Sequence, residues 1–322
     1  MAQISGNRSE HETLWQTASR LLELERIVTG SVQEISGNYD SVTHACPMFA
    51  DFGRGEMRAL GVAFEASRVE AAVRLLAASQ GAVVELEEPF VNLVLPNGAR
   101  FSACLPPASD GPTFSIRTQW RAVRPLVDFM SAPWQLARVE EAIRRGDNIV
   151  VAGSTNTGKT TFVNALAARL IEFAPNERLG IIEDEPELKI EARNAIRRLA
   201  RGRADMRRHV REMLRMRPDR IVIGEVRGPE ALDLLKAWST GHSGGFTTIH
   251  ANSAKAAVLR LESLVEEAGV PPQARLIAET VNLILFLRRK PDGARRVAEM
   301  IRLEGYSTAS GYSMRELTEK DQ

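Results

Sequence analysis

"GSTNTGKTT", residues 153–161, decides how the rest of the chain is read. It satisfies the pattern G-x-x-x-x-G-K-[ST]. It follows a continuous apolar run, "NIVVA", and leads into "TTFVNALAARLIEF", which has the composition of a helix. Strand, glycine-rich turn and helix in that order make an anion cradle. Successive backbone N–H groups turn inward around a phosphate, and the helix N-terminus adds partial positive charge. Gly153 and Gly158 supply backbone conformations that a side chain would obstruct, and Ser154, Thr155, Asn156 and Thr157 complete the loop. Lys159 is expected to bridge β- and γ-phosphates, Thr160 to hold Mg2+ through its hydroxyl, and Thr161 to reach the α-phosphate. The loop by itself specifies phosphate binding and no reaction.

Outward from the loop, apolar runs recur between helical stretches: "LGIIED", "RIVIGEV" and "FTTIHA". That rhythm predicts a doubly wound parallel sheet, in which ligands lie beyond the C-terminal ends of the strands. Carboxylates stand at two of those ends. "LGIIEDEPEL" delivers Glu183, Asp184 and Glu187, which could serve metal-bound waters or a nucleophilic water; Asp184 joins Thr160 as a candidate around Mg2+. "RIVIGEV" delivers Glu225, the candidate to orient and deprotonate water attacking the γ-phosphate. The strand itself holds no aspartate, since Asp219 precedes it. "TGHSGGFTTIHANS", residues 240–253, carries two histidines that invite a metal reading. Zinc needs three or four ligands and no cysteine stands near them. His250, at the tip of the strand, is better placed with Thr247 and Thr248 as a sensor of the γ-phosphate, and His242 as a turn residue that moves or meets a neighbouring subunit.

The ordered run of "GSTNTGKTT", "IIEDEPEL" and "RMRPDRIVIGEVRGPEALDLLKAWSTGHSGGFTTIHANS" resembles the secretion-ATPase superfamily of type II and type IV secretion, type IV pili and conjugation, and within it the conjugal-transfer ATPases of type IV secretion. The resemblance spans about 31–306 and is densest over 148–253. It implies ATP and Mg2+ as cofactors and a hexameric ring. Each subunit would pair an N-terminal PAS-like α+β domain with a RecA-like P-loop ATPase domain. It also implies catalytic roles for Lys159, Glu183, Glu225 and His250, and places Arg100 and Arg117, in "LPNGARFSACLPP" and "FSIRTQ", against the phosphates. The partners implied are ATP and ADP, further copies of the chain, and inner-membrane components of a secretion channel, with the protein peripheral at the cytoplasmic face. Asn156 stands where family loops usually carry glycine; asparagine tolerates the left-handed conformation. The tetracysteine of type II secretion ATPases is missing, which points to the type IV or conjugative branch.

The remaining sequence frames that core. With 322 residues and 44% apolar content the chain can bury two cores. The expected division is a disordered 1–11, an α+β domain over 12–124, linker helices over 125–146 and the α/β ATPase domain over 147–322. In the first domain, "TLWQTASRLLELERIV" reads as an amphipathic helix ending near Gly30, "MRALGVAF" as a strand and "SRVEAAVRLLAAS" as a helix. "FVNLVLPNGARFSACLPP" reads as a hairpin turning at Pro96-Asn97-Gly98. "NLILFLRRKPDGARRVAEMIRLEGY" reads as a second hairpin turning at Pro291-Asp292-Gly293. No apolar run approaches bilayer-spanning length and no signal pattern opens the chain, so a cytosolic protein is expected. Two cysteines, Cys46 and Cys104, exclude a disulfide framework. The net charge of +1 gives no global pull toward nucleic acid, although arginine is dense over 193–220. A nucleic-acid motor reading rests on that segment. Its lack of stacking aromatics favours intramolecular or intersubunit pairs instead. The same motifs could also serve a pilus or type II secretion ATPase, or a non-hydrolysing scaffold; Lys159 with Glu225 speaks against the scaffold.

Overall fold

The computed structural model describes residues 2–24, 32–52, 56–95, 98–118 and 123–321. The chain divides into two compact units, Met1–Arg121 and Ala122–Gln322.

Among the described residues, the first unit is a six-stranded antiparallel sheet of order β3-β2-β1-β6-β5-β4 with two helices. Its strands are β1 (Glu34–Gly37), β2 (Ala45–Asp51), β3 (Arg58–Glu65), β4 (Phe90–Val94), β5 (Arg100–Cys104) and β6 (Thr113–Arg117). Alternate residues turn inward, as the two-residue period of a strand requires: Cys46, Met48 and Ala50 on β2, Phe101 and Ala103 on β5, Phe114 and Ile116 on β6. They meet Ala18 of α1 (Ala2–Leu21) and Val69, Val73 and Leu76 of α2 (Ala66–Ser79) in one core. Helical spacing puts the α2 residues on a single stripe. The hairpin β4–β5 pairs Val94 with Arg100, and its turn residues Pro96 and Asn97 lie outside the described residues, as does the expected helix end near Gly30. Helix α1 takes in residues 2–11, for which no regular structure was expected; they contain no proline and only one glycine to oppose a helix. Strands β1 and β2 were not anticipated, because β1 is four residues long and β2 carries Pro47, a residue that argues against a strand; the pairing with β3 shifts between Pro47 and Phe49.

The second unit opens with a 3-10 turn (Leu126–Phe129) and α3 (Pro133–Arg145), which has proline in its first turn and ends on Gly146 at φ 72°. An eight-stranded sheet of order β14-β13-β12-β7-β11-β10-β8-β9 follows. Six strands run parallel: β7 (Ile149–Ala152), β8 (Leu179–Glu183), β9 (Ala195–Leu199), β10 (Arg220–Ile223), β11 (Phe246–Ile249) and β12 (Leu283–Arg289). β13 (Arg295–Ser307) turns back from β12 through 290–294, and β14 (Gly311–Glu316) closes that edge. The central strands are buried on both sides, so their apolar runs are continuous. Ile149, Val151, Val222 and Phe246 pack under α3 and α4 (Lys159–Phe173). Val150, Ala152, Ile223 and Ile249 pack under α5 (Met206–Met213), α6 (Glu230–Ser239), α7 (Ala254–Glu266) and α8 (Ala274–Thr280). Each such valine, isoleucine or phenylalanine contributes about 1.5–3 kcal/mol on burial, which favours the facing each strand adopts. Among the described residues no helix is long and apolar enough to cross a membrane.

Candidate active site

Register brings the functional residues to one sheet edge. Ala152 pairs with Ile249, Ile223 with Thr247, and Ile223 with Ile182. The segments beginning at Gly153, His250, Gly224 and Glu183 therefore emerge side by side, in the spatial order of β7, β11, β10 and β8.

At the first of these ends, the loop closes on itself. A Cβ on Gly153 would lie 2.5 Å from Thr157 Oγ1 and 2.9 Å from the Leu287 carbonyl oxygen, so no side chain fits there. Thr157 Oγ1 instead donates to Ser154 O at 2.9 Å. Asn156 adopts φ 62° and Gly158 φ 87°, the left-handed pair that curls the loop into the start of α4. Arg295 lies across Gly158, its Cδ 2.6 Å from where a Cβ would stand. Lys159, 7% exposed, donates from Nζ to the carbonyls of Gly153 (3.0 Å) and Ser154 (3.1 Å). The ammonium is thus held at the loop's own carbonyls, beside the start of α4.

The acidic turn docks onto this helix. Thr160 Oγ1 donates to Glu187 Oε2 at 2.7 Å, and Asn164 Oδ1 accepts the Lys189 N–H at 2.8 Å. Glu183 is buried under the turn, where its Oε1 accepts the N–H groups of Glu187 (2.9 Å) and Leu188 (2.6 Å). Burial pushes its carboxyl up to about 7, against the lowering effect of those two N–H groups and of Arg197. Asp184, expected beside Thr160, is instead drawn toward β10. Its Oδ2 receives Arg227 Nη1 at 2.6 Å, and the carboxylate at the Thr160 hydroxyl is that of Glu187.

Between these ends lies a row of polar contacts. Lys159 Nζ is 3.3 Å from His250 Nδ1 and 3.4 Å from Nε2; His250 Nε2 is 2.9 Å from Glu225 Oε1. Glu225 Oε2 in turn accepts from Arg227 Nη2 at 2.8 Å. The imidazole's pKa is lowered, first by burial and then by the ammonium of Lys159, against the opposing pull of Glu225. The ring is thus neutral at pH 7, able to accept a proton on one nitrogen while holding one on the other.

Thr247 and Thr248 stop short of this edge. Both are 1% exposed, and Thr248 Oγ1 donates to Gly224 O at 2.9 Å, within the sheet. His242 stands at the opposite end of the sheet, its Nδ1 2.8 Å from Pro218 O before β10 begins. The two histidines thus never approach one another, and among the described residues no cluster of three or more His, Cys, Asp or Glu converges on a metal position. Ser253 caps α7 by accepting the Ala256 N–H at 3.0 Å, which accounts for the end of the histidine-containing stretch.

The arginine-dense segment has intramolecular partners. Arg207 and Arg211 both grip the buried Asp233 on α6, at 2.6 and 2.9 Å. Arg197 donates to the carbonyls of Leu188 (3.1 Å) and Ile190. Buried Arg220 binds Glu177 and the carbonyls of Ile143 (3.0 Å) and Gly244 (3.2 Å) at the sheet end away from the loop. In the first unit, strand register sets Arg100 opposite Arg117, and Arg117 opposite Glu34. Glu187 was visible in the sequence only as a third carboxylate after Glu183. Arg227 and Arg295 carry no local signal.

Comparison with known proteins agrees with this arrangement. Residues 61–310 match the family described as Type II/IV secretion system protein. The conjugal transfer protein TrbB of Rhizobium radiobacter is 43% identical over 225 residues, 68% of this chain and 69% of that protein. A putative conjugal transfer protein of Mycobacterium tuberculosis is 34% identical over 279 residues, 80% of this chain and 78% of that one. Among solved structures, the Legionella pneumophila ATPase DotB superposes with a TM-score of 0.61 at 22% identity, over 86% of this chain and 78% of that one. The pilus retraction motor PilT, solved with bound ADP, superposes with a TM-score of 0.59 at 19% identity, over 92% and 81%. These two share the fold of the α/β core. With the loop, the acidic turn, Glu225 and His250 gathered at one edge of that core, the chain belongs to the type II/IV secretion system protein family and is a secretion ATPase similar to TrbB.

Proposed function

We propose that this ATPase hydrolyses Mg-ATP to power conjugative transfer through a type IV secretion system. It would do so as a homohexamer held peripherally at the cytoplasmic face of the inner membrane by components of the channel. The observation that carries the catalytic part is the succession of close approaches Lys159–His250–Glu225, from the start of α4 to the residues that follow β11 and β10. The conjugal transfer assignment of its relatives supports the biological part.

In this reading the 153–158 loop and the α4 N-terminus hold the phosphates, and Lys159 leaves its own-loop carbonyls to neutralise the β- and γ-oxygens. Glu225 orients the attacking water and takes its proton, a task for which its carboxylate is fixed between Arg227 and His250. His250, neutral and within reach of both Lys159 and Glu225, registers the loss of the γ-phosphate. Mg2+ would withdraw charge from the transferring phosphoryl group. Thr160 would supply its hydroxyl ligand, and the Thr160–Glu187 hydrogen bond supports Glu187 rather than Asp184 as the acid that would hold the surrounding waters. The first unit is read as PAS-like; its run β2-β1-β6-β5-β4 backed by helices supports that. Arg100 and Arg117, cross-strand neighbours, are its contribution to the phosphates.

Steady-state turnover and native mass spectrometry with and without ATP test the proposal. Lys159→Ala is expected to abolish turnover, and Glu225→Gln and His250→Ala to keep nucleotide while losing roughly 10²-fold or more and 10-fold in kcat. Turnover that survives Lys159→Ala overturns the catalytic reading. A chain that stays monomeric with ATP overturns the hexamer.

A further inference from the structure

Arg227 lies two residues beyond Glu225 and touches both it and the acidic turn. Asp184 follows β8 and Glu225 follows β10, and the register Ile182–Ile223 carries both carboxylates to the same level on adjacent strand ends. The guanidinium spans that gap. Nη1 donates to Asp184 Oδ2 at 2.6 Å and Nη2 to Glu225 Oε2 at 2.8 Å. A planar fork with two separate donors fixes the direction of each bond as well as its length, which an ammonium cannot do.

The backbone beneath the fork is pinned. Val226 N–H donates to Thr248 O at 3.0 Å, tying the segment to β11. The N–H groups of Arg227 (2.6 Å) and Gly228 (2.9 Å) both donate to Oε1 of Glu230, which is buried at the start of α6. Glu225 itself is 13% exposed along its side chain, whereas the guanidinium that bonds it reaches solvent. The charged and titratable groups around it are His250 from β11, Lys159 from α4, Glu183, Asp184 and Glu185 from the acidic turn, and Arg227 itself.

We propose that Arg227 is a positioning residue for ATP hydrolysis: with Asp184 as its anchor, it holds Glu225 Oε2 so that Oε1 faces the Lys159–His250 side of the site. This rests on the reading of Glu225 as the residue that orients water. Arg227 takes no part in binding the nucleotide and acts only through the carboxylate. The acidic turn thereby has a second role beside docking onto Thr160. Asp184 sets where the guanidinium stands, and through it where the base points.

The test is steady-state kinetics and nucleotide affinity on the full chain. The variants are Arg227→Ala, Arg227→Lys, Asp184→Asn, Glu225→Gln and the double variant Arg227→Ala/Glu225→Gln. Arg227 is 58% exposed along its side chain, so alanine there leaves the core intact. Arg227→Ala is expected to lower kcat by roughly 10- to 100-fold, with ADP affinity within about twofold of the parent. Arg227→Lys should recover part of that loss, and Asp184→Asn should lose less than Arg227→Ala. The double variant should be no slower than Glu225→Gln alone, as expected of residues that act through one group. A parental kcat in Arg227→Ala, a loss confined to affinity, or losses that multiply in the double variant would each overturn the proposal. Turnover retained in Glu225→Gln would instead overturn the assignment of Glu225. An inert Glu225→Gln beside a parental Arg227→Ala overturns the role of Arg227 alone.

Discussion

Glu183 holds an ionisable group where water does not reach, and stability should register it. Its carboxyl is raised from 4.5 to about 7 by burial, so the folded state binds a proton over that interval that the unfolded chain has already released. The stabilisation linked to this proton is complete below about pH 4.5. It fades as the pH climbs to 7, by up to about 3 kcal/mol. Glu183→Gln keeps an oxygen for the N–H groups of Glu187 and Leu188 and cannot titrate. Melting temperature measured from pH 4.5 to 8 should fall across the window in the parent and less steeply in the variant; parallel curves contradict the assignment. The residues legible in the sequence were those whose chemistry is local: Lys159, Thr160 and the loop glycines stand in one motif. Glu187 meets Thr160 across 27 positions and Arg227 meets Asp184 across 43, and no periodicity announces such pairs. That Glu187 and not Asp184 meets the Thr160 hydroxyl has the same reason. Which acid of a short turn faces the helix depends on how the turn is capped, here by Glu183.

Among the elements, the parallel strands were legible because burial on both faces leaves an apolar run. β9 was not: it is an edge strand reading "AIRRL", with Arg198 and Leu199 exposed. β14 is likewise an edge strand and carries residues of both characters. The same segment of sequence that suggested a nucleic-acid surface contains Arg220, whose guanidinium ties the end of α3, the Gly244 turn and Glu177 to β10. Arg220→Ala leaves two carbonyls and a carboxylate without that donor. It should cost about 2–4 kcal/mol of unfolding free energy, read as a shifted urea midpoint. A loss under about 1 kcal/mol would show that water replaces the guanidinium.

For the whole molecule, the division into two units separates a site that is built from one of them and a contribution expected from the other. The loop, acidic turn, Glu225 and His250 all belong to Ala122–Gln322, while Arg100 and Arg117 belong to Met1–Arg121. If these arginines act on phosphates, Arg100→Ala and Arg117→Ala should each slow turnover roughly 10-fold or more while melting with the parent. Unchanged turnover in both variants would remove the first unit from phosphate chemistry. The parallel sheet of the second unit followed from its recurring apolar runs. The antiparallel sheet of the first unit was only half visible, because Pro47 and short strands blur its alternation.

The fit between the 153–158 loop and the β12–β13 hairpin has a historical consequence. Leu287 O presses on Gly153 and Arg295 on Gly158, so both glycines seat the hairpin whether or not a phosphate is present. A descendant of this chain that had lost all chemistry would still be obliged to keep them. In this lineage the two glycines would outlive the activity that first called attention to them. Lys159, bonded to the loop's carbonyls and to His250, is the residue whose retention the proposed phosphate binding would explain.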